Sequence, residues 1–70
     1  MSSLEIRSVI SRMLVPFLLE TKGVARKRII DNSEFSDIAA VDVAREIDSM
    51  CAEGLIVKTE IADNSFYKLS

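Results

Sequence analysis

Seventy residues, 49% hydrophobic and 29% charged, with nine Lys/Arg against eleven Asp/Glu, describe one small globular domain of formal net charge −2. That length excludes a two-domain enzyme, a doubly wound sheet and a TIM barrel. The absence of His removes Ser-His and Cys-His nucleophilic sites and imidazole metal sites, while the lone Cys51 excludes an internal disulfide and fits a reducing compartment.

Ser2 or Ser3 can cap a first helix, and Glu5 is favourable in its first turn. Ile6, Ile10, Met13, Leu14 and Phe17 then follow the i, i+4, i+7, i+8, i+11 spacing of one apolar helical face. Leu4, Val15, Leu18 and Leu19 fall outside that face, and this surplus predicts that the first helix also forms a homodimer interface. Pro16 removes a backbone donor and disfavours helical geometry at Val15. Residues 3–20 therefore read as a first helix kinked at Pro16, or as two short helices meeting there. Gly23 ends the segment as a C-cap. The longest strongly apolar stretch, Met13 to Leu19, is too short to span a bilayer, and no basic leader precedes an apolar run. The expectation is a cytoplasmic protein with no membrane partner.

Val24 to Asp31 reads as a short second helix, with Ala25, Ile29 and Ile30 inward, Lys27 and Arg28 outward, and Arg26 on the flank. Asn32 to Ser36 is a polar connection in which Phe35 plugs the core, and Ser36 or Asp37 can cap the next helix. This third helix has the clearest period. Val43, Ala44, Ile47, Met50, Cys51 and Gly54 share a narrow arc, opposite Asp42, Arg45, Ser49 and Ala52. Ile38 falls outside the arc, so the regular part starts near Val41, and Gly54 ends it.

Leu55 to Ile61 is β-rich, Ala62-Asp63-Asn64-Ser65 is a turn, and Phe66 to Leu69 is a second strand. The two strands predict a β-hairpin that packs on the helices. Leu55 and Val57 are expected to point at the same core as Ile47 and Met50, and one of Phe66 and Tyr67 must face outward. The fold class is mainly α with a C-terminal β-hairpin, in the order helix, helix, helix, strand, strand.

Charge is unevenly spread. Residues 1–30 hold six Lys/Arg and two Asp/Glu, whereas residues 31–70 hold three and nine. The basic part, with Lys22, Arg26, Lys27 and Arg28 clustered, can meet phosphates, and the acidic part repels them. There is no phosphate loop, Cys pair or catalytic triad. The acid pairs Glu34/Asp37 and Asp42/Glu46 sit on a small exposed surface without a cleft, so neither an enzyme nor a metal or cofactor site is expected.

Val43-Ala44-Arg45-Glu46-Ile47-Asp48-Ser49-Met50-Cys51-Ala52-Glu53-Gly54-Leu55-Ile56 resembles the third helix of winged helix-turn-helix domains, with their Glu-Gly-Leu-Ile entry to the wing. Phe66-Tyr67-Lys68-Leu69 is similar to the returning wing strand, and Leu14 to Ile30 resembles the first two helices of that fold. The resemblance covers about residues 13–70 and implies a single winged-helix domain, read here as residues 1–70, that binds double-stranded DNA as a small transcriptional regulator. It implies a third helix meeting the major groove through Asp42, Arg45, Glu46 and Ser49. It implies a wing offering Lys58, Asn64 and Lys68, and phosphate contacts from Lys22, Arg26, Lys27 and Arg28. A two-fold homodimer through Leu4, Val15, Leu18 and Leu19 would set two third helices on successive groove turns, about 34 Å apart. The acids Asp42, Glu46, Asp48 and Glu53 support an alternative. In it, a winged-helix protein–protein module docks an acidic third helix on a basic partner, such as a nucleic-acid-handling assembly.

Overall fold

Ser2 and Glu5 start the first helix together. In the computed structural model, which describes residues 1–70, the Ser2 hydroxyl accepts from the Glu5 backbone N–H at 3.2 Å. The Glu5 carboxylate accepts from the Ser2 backbone N–H at 3.1 Å, which completes a reciprocal capping box. Helix α1 runs Ser3–Leu14 and buries Ile6, Val9, Ile10 and Leu14. The apolar pattern continues beyond Leu14 but the α-helix does not. Val15–Phe17 tighten into a 3₁₀ turn with Pro16 in its opening positions, and residues 18–19 and 21–22 are turns and bends. The expected first helix over residues 3–20 is thus shortened, and the break at Pro16 takes the form of two separate helical pieces.

Gly23 is not a helix C-cap. It stands at φ 89°, directly before a two-residue strand, β1 (Val24–Ala25), and a Cβ there would overlap the carbonyl of Tyr67. Val24 and Ala25 pair with Tyr67 and Phe66, so the start expected for the second helix is taken by the sheet. Helix α2 is only Arg26–Ile30. Asn32 caps the following 3₁₀ turn, Ser33–Phe35, by accepting from the Glu34 N–H at 2.7 Å, and Phe35 enters the core as expected.

Helix α3 spans Ala40–Ala52 and buries Val43, Ile47 and Met50. Its N-cap is Ala39, without a side-chain cap, so neither Ser36 nor Asp37 caps it. Its end is a Schellman motif: the Leu55 N–H donates to the Met50 carbonyl at 2.9 Å and the Gly54 N–H to the Cys51 carbonyl at 3.1 Å. Gly54, at φ 77°, supplies the left-handed residue this motif needs.

The chain then forms the hairpin of β2 (Ile56–Ile61) and β3 (Asn64–Leu69), paired from Ile56 opposite Leu69 to Ile61 opposite Asn64. The turn is Ala62-Asp63 alone, both at positive φ (50° and 67°), as a two-residue type I′ hairpin requires. Strand β3 therefore begins earlier than the sequence suggests. The sheet order is β1-β3-β2. Tyr67 is the inward residue and is fully buried, while Phe66 is outward and half-buried.

The expected core role of Leu55 and Val57 is inverted. Ile56 alone of β2 is buried, and Leu55 and Val57 are 46% and 51% exposed. An unbroken Leu-Ile-Val run carries no alternation to fix which residue turns inward. One continuous core joins α1, β1, α2, α3 and both hairpin strands. No helix is long and apolar enough to cross a membrane.

Candidate nucleic-acid interface

The outward side of α3 carries Val41, Arg45, Ser49 and Ala52, opposite the buried Val43, Ile47 and Met50. Each of the four acids on or beside this helix is matched to an arginine. Asp42 accepts from Arg45 at 3.2 Å, one turn away. Glu46 accepts from Arg7 Nε at 2.9 Å, and Glu53 accepts from the other two nitrogens of Arg7 at 3.1 and 2.6 Å. Asp48 accepts from both Arg26 amino groups, at 2.9 and 3.3 Å. The Arg7 hydrogen bonds hold Glu46 and Glu53 below the usual carboxylate range, and those of Arg26 do the same for Asp48.

Arg26 also donates to the hydroxyl of Tyr67 at 2.6 Å, so it fastens α2 to α3 and β3 at once. Lys27 is highly exposed, with Asp31 at 3.6 Å. Arg28 turns onto the ring of Phe17, 5.3 Å from its centroid, and Lys22 lies 5.5 Å from that of Phe66. Lys22, Arg28 and Lys68 have no carboxylate at ion-pairing distance, unlike the other six cations. Lys58 pairs with Glu60 at 3.2 Å, which raises its pKa. Asn64 donates to the Ala62 carbonyl at 3.3 Å inside the hairpin turn.

These positions bring part of the predicted set together. Arg26, Lys27 and Asn64 line one shallow cleft between α2 and the hairpin turn, with Asp63 and Ser65. Arg45 and Ser49 line a second on α3, with Val41, Ala44, Asp48 and Ala52. The Arg26–Asp48 pair joins the two. Glu46 points instead to Arg7, and Arg28 to Phe17. Cys51 is half-buried, and its thiol pKa is raised first by burial and then by Asp48. Of the residues read as a dimer surface, Leu4 is 77% exposed, and Val15, Leu18 and Leu19 are exposed as well.

Two residues that organise this surface escaped the sequence reading: Arg7, which neutralises two acids of the α3 region, and Tyr67, which anchors Arg26. Arg7 stands 39 and 46 positions from its partners, a distance at which no local spacing signals a pair. No family model, curated protein or solved structure matches the chain. What the geometry defines is a small helix-rich domain with a C-terminal β-hairpin, a shape compatible with a winged helix.

Proposed function

We propose that this domain is a winged helix that binds double-stranded DNA as a homodimer and serves as a small transcriptional regulator. In this reading α3 enters the major groove, the β2–β3 hairpin lies against the backbone, and Leu4, Val15, Leu18 and Leu19 contribute to the dimer surface. The observation that carries it is the pairing of Glu46 and Glu53 with Arg7 and of Asp48 with Arg26, which leaves Asp42 as the one α3-region acid that depends on Arg45. Carboxylates held in pairs repel phosphates less than bare ones, and the outward strip keeps a single cation, Arg45. Its partner Asp42 forms an exposed pair, worth about 0–1 kcal/mol, so Arg45 can leave it for a guanine edge. Phosphate contact falls to Lys27, which is highly exposed and lines the cleft between α2 and the hairpin turn with Asn64, and to Lys22 and Lys68, which have no acid to give up. Arg26 is committed to Asp48 and Tyr67 and acts as a brace.

The test is a fluorescence-anisotropy titration against mixed-sequence duplex DNA at low and physiological salt. The expected result is affinity that falls steeply with salt, a smaller slope for Lys27→Ala, and a loss of binding for Arg45→Ala without a matching loss of stability. An absence of binding at low salt would overturn the reading. A second reading then takes its place, favoured by the apolar Val41, Ala44 and Ala52 around Arg45 in the α3 groove. Such a strip, edged by acids, suits a basic protein partner.

A further inference from the structure

The outer face of an amphipathic surface helix is normally its charged face. Here the line on α1 turned farthest from Ile6, Val9, Ile10 and Leu14 is Leu4, Ser8, Ser11 and Val15, with Ser11 half-buried beside Leu55 and Leu69, and it holds no charge. Val15 keeps helical dihedrals (φ −54°, ψ −47°), so it stays in phase with the line although the α-helix ends at Leu14. Leu4 is 77% exposed and Val15 52%. The charges sit on the borders: Glu5 and Arg12 on one side, Arg7 on the other.

We infer that α1 pairs antiparallel with α1 of a second copy of this chain, about a two-fold axis that lies between the two helices, level with the midpoint of Val9 and Ile10. The order leucine, serine, serine, valine is what selects this register. A two-fold at that level sets Leu4 opposite the second copy's Val15 and Ser8 opposite its Ser11, so each large apolar side chain meets another and the serines let the helices approach at the centre. Charge supports the same register. Glu5 and Arg12 share one border, and the two-fold keeps that border on the same side in both copies. Glu5 then lies about 3 Å along the axis from the second copy's Arg12, two residues of helix rise. This makes two ion pairs across the contact. Both side chains have capacity left. Glu5 uses Oε1 for the Ser2 cap, and Arg12 uses one amino group for Glu34 at 3.1 Å. Arg7, on the other border, is already neutralised by Glu46 and Glu53.

A contact of one short helix face with its copy lies below the roughly 1,200 Å² of a standard interface, so a weak, concentration-dependent dimer is expected. The inference rests on the homodimer part of the proposed function and not on DNA.

Sedimentation equilibrium without DNA tests it. Wild type is expected to show a concentration-dependent monomer–dimer equilibrium, and Ser8→Glu to be monomeric. Glu5→Arg and Arg12→Glu each place like charges across the contact and should self-associate about tenfold more weakly. An equimolar mixture of these two variants restores both attractive pairs and should dimerise as wild type does. That recovery also shows that each variant is folded. A monomer at every concentration, a dimer indifferent to Ser8→Glu, or a mixture no stronger than its components would overturn the inference. DNA binding by a monomer would leave the DNA reading standing without it.

Discussion

The guanidinium of Arg26 donates to the phenol oxygen of Tyr67 at 2.6 Å, and the Tyr67 side chain is fully buried. The same nitrogen reaches Asp48 at 2.9 Å, but Asp48 is 64% exposed. The two contacts therefore differ in consequence. A surface carboxylate that loses its partner is resolvated. A phenol oxygen at the edge of the core loses its one protein donor.

Arg26→Met should thus lower unfolding free energy by about 1–3 kcal/mol, whereas Asp48→Ala should cost about 0–1 kcal/mol. Urea denaturation of the two variants checks this. Equal losses would mean that the surface pair, and not the phenol contact, is what Arg26 contributes.

Arg7 makes stability depend on acid pH. Glu46 and Glu53 titrate below the ordinary 4.5 in the fold because Arg7 hydrogen-bonds their charged forms. In the unfolded chain they take up protons at the ordinary value, so the unfolded state binds more protons in that window. Their contribution is fully present above about pH 5 and is lost as pH falls through the lowered folded values. The urea midpoint should be flat from neutral pH to about 5 and decline below it. Arg7→Met should lower the plateau and flatten the decline. A decline of unchanged steepness in Arg7→Met would place the acid sensitivity elsewhere.

The helices and hairpin were legible because their signals are local. The period of Val43, Ile47 and Met50 fixes the inner face of α3, and Ser2 with Glu5 marks the start of α1. The polar Ala62-Asp63-Asn64-Ser65 marks the turn. Where the reading slipped, the deciding contact was distant. Val24 and Ala25 look helical until Tyr67 and Phe66 arrive to pair with them, and two residues are too few to show a strand period. The inner residue of the Leu55-Ile56-Val57 run is set by register with Leu69. The Arg7 and Arg26 pairs join residues 22 to 46 positions apart, so the acids of α3 read as bare until the fold is known.

The two glycines should respond differently to alanine. Both have positive φ, which costs a non-glycine residue about 1–2 kcal/mol. At Gly54 nothing lies near an added Cβ, so Gly54→Ala should lose about that much and Gly54→Asn less. At Gly23 the Cβ would also overlap the Tyr67 carbonyl, where β1 meets β3. Gly23→Ala should be clearly the more damaging of the two in thermal melts. The reverse order would mean that β1 is not held against Tyr67 in solution.

The hairpin turn can be stabilised by sequence alone. Ala62 and Asp63 adopt left-handed dihedrals, yet neither is the Asn or Gly that such a turn favours. Ala at φ 50° has a Cβ crowding the following carbonyl and no side-chain oxygen to compensate. The strands hold the turn in place from both ends, with Ile61 opposite Asn64 and Glu60 opposite Ser65. Replacing the pair with Ala62→Asn and Asp63→Gly leaves that register unchanged and relieves both residues. The double variant should gain about 1–2 kcal/mol in urea denaturation, with no change in the denaturant slope because the buried surface is the same. An unchanged midpoint would mean that the turn in solution is not the two-residue type, since only that geometry forces both residues into the left-handed region.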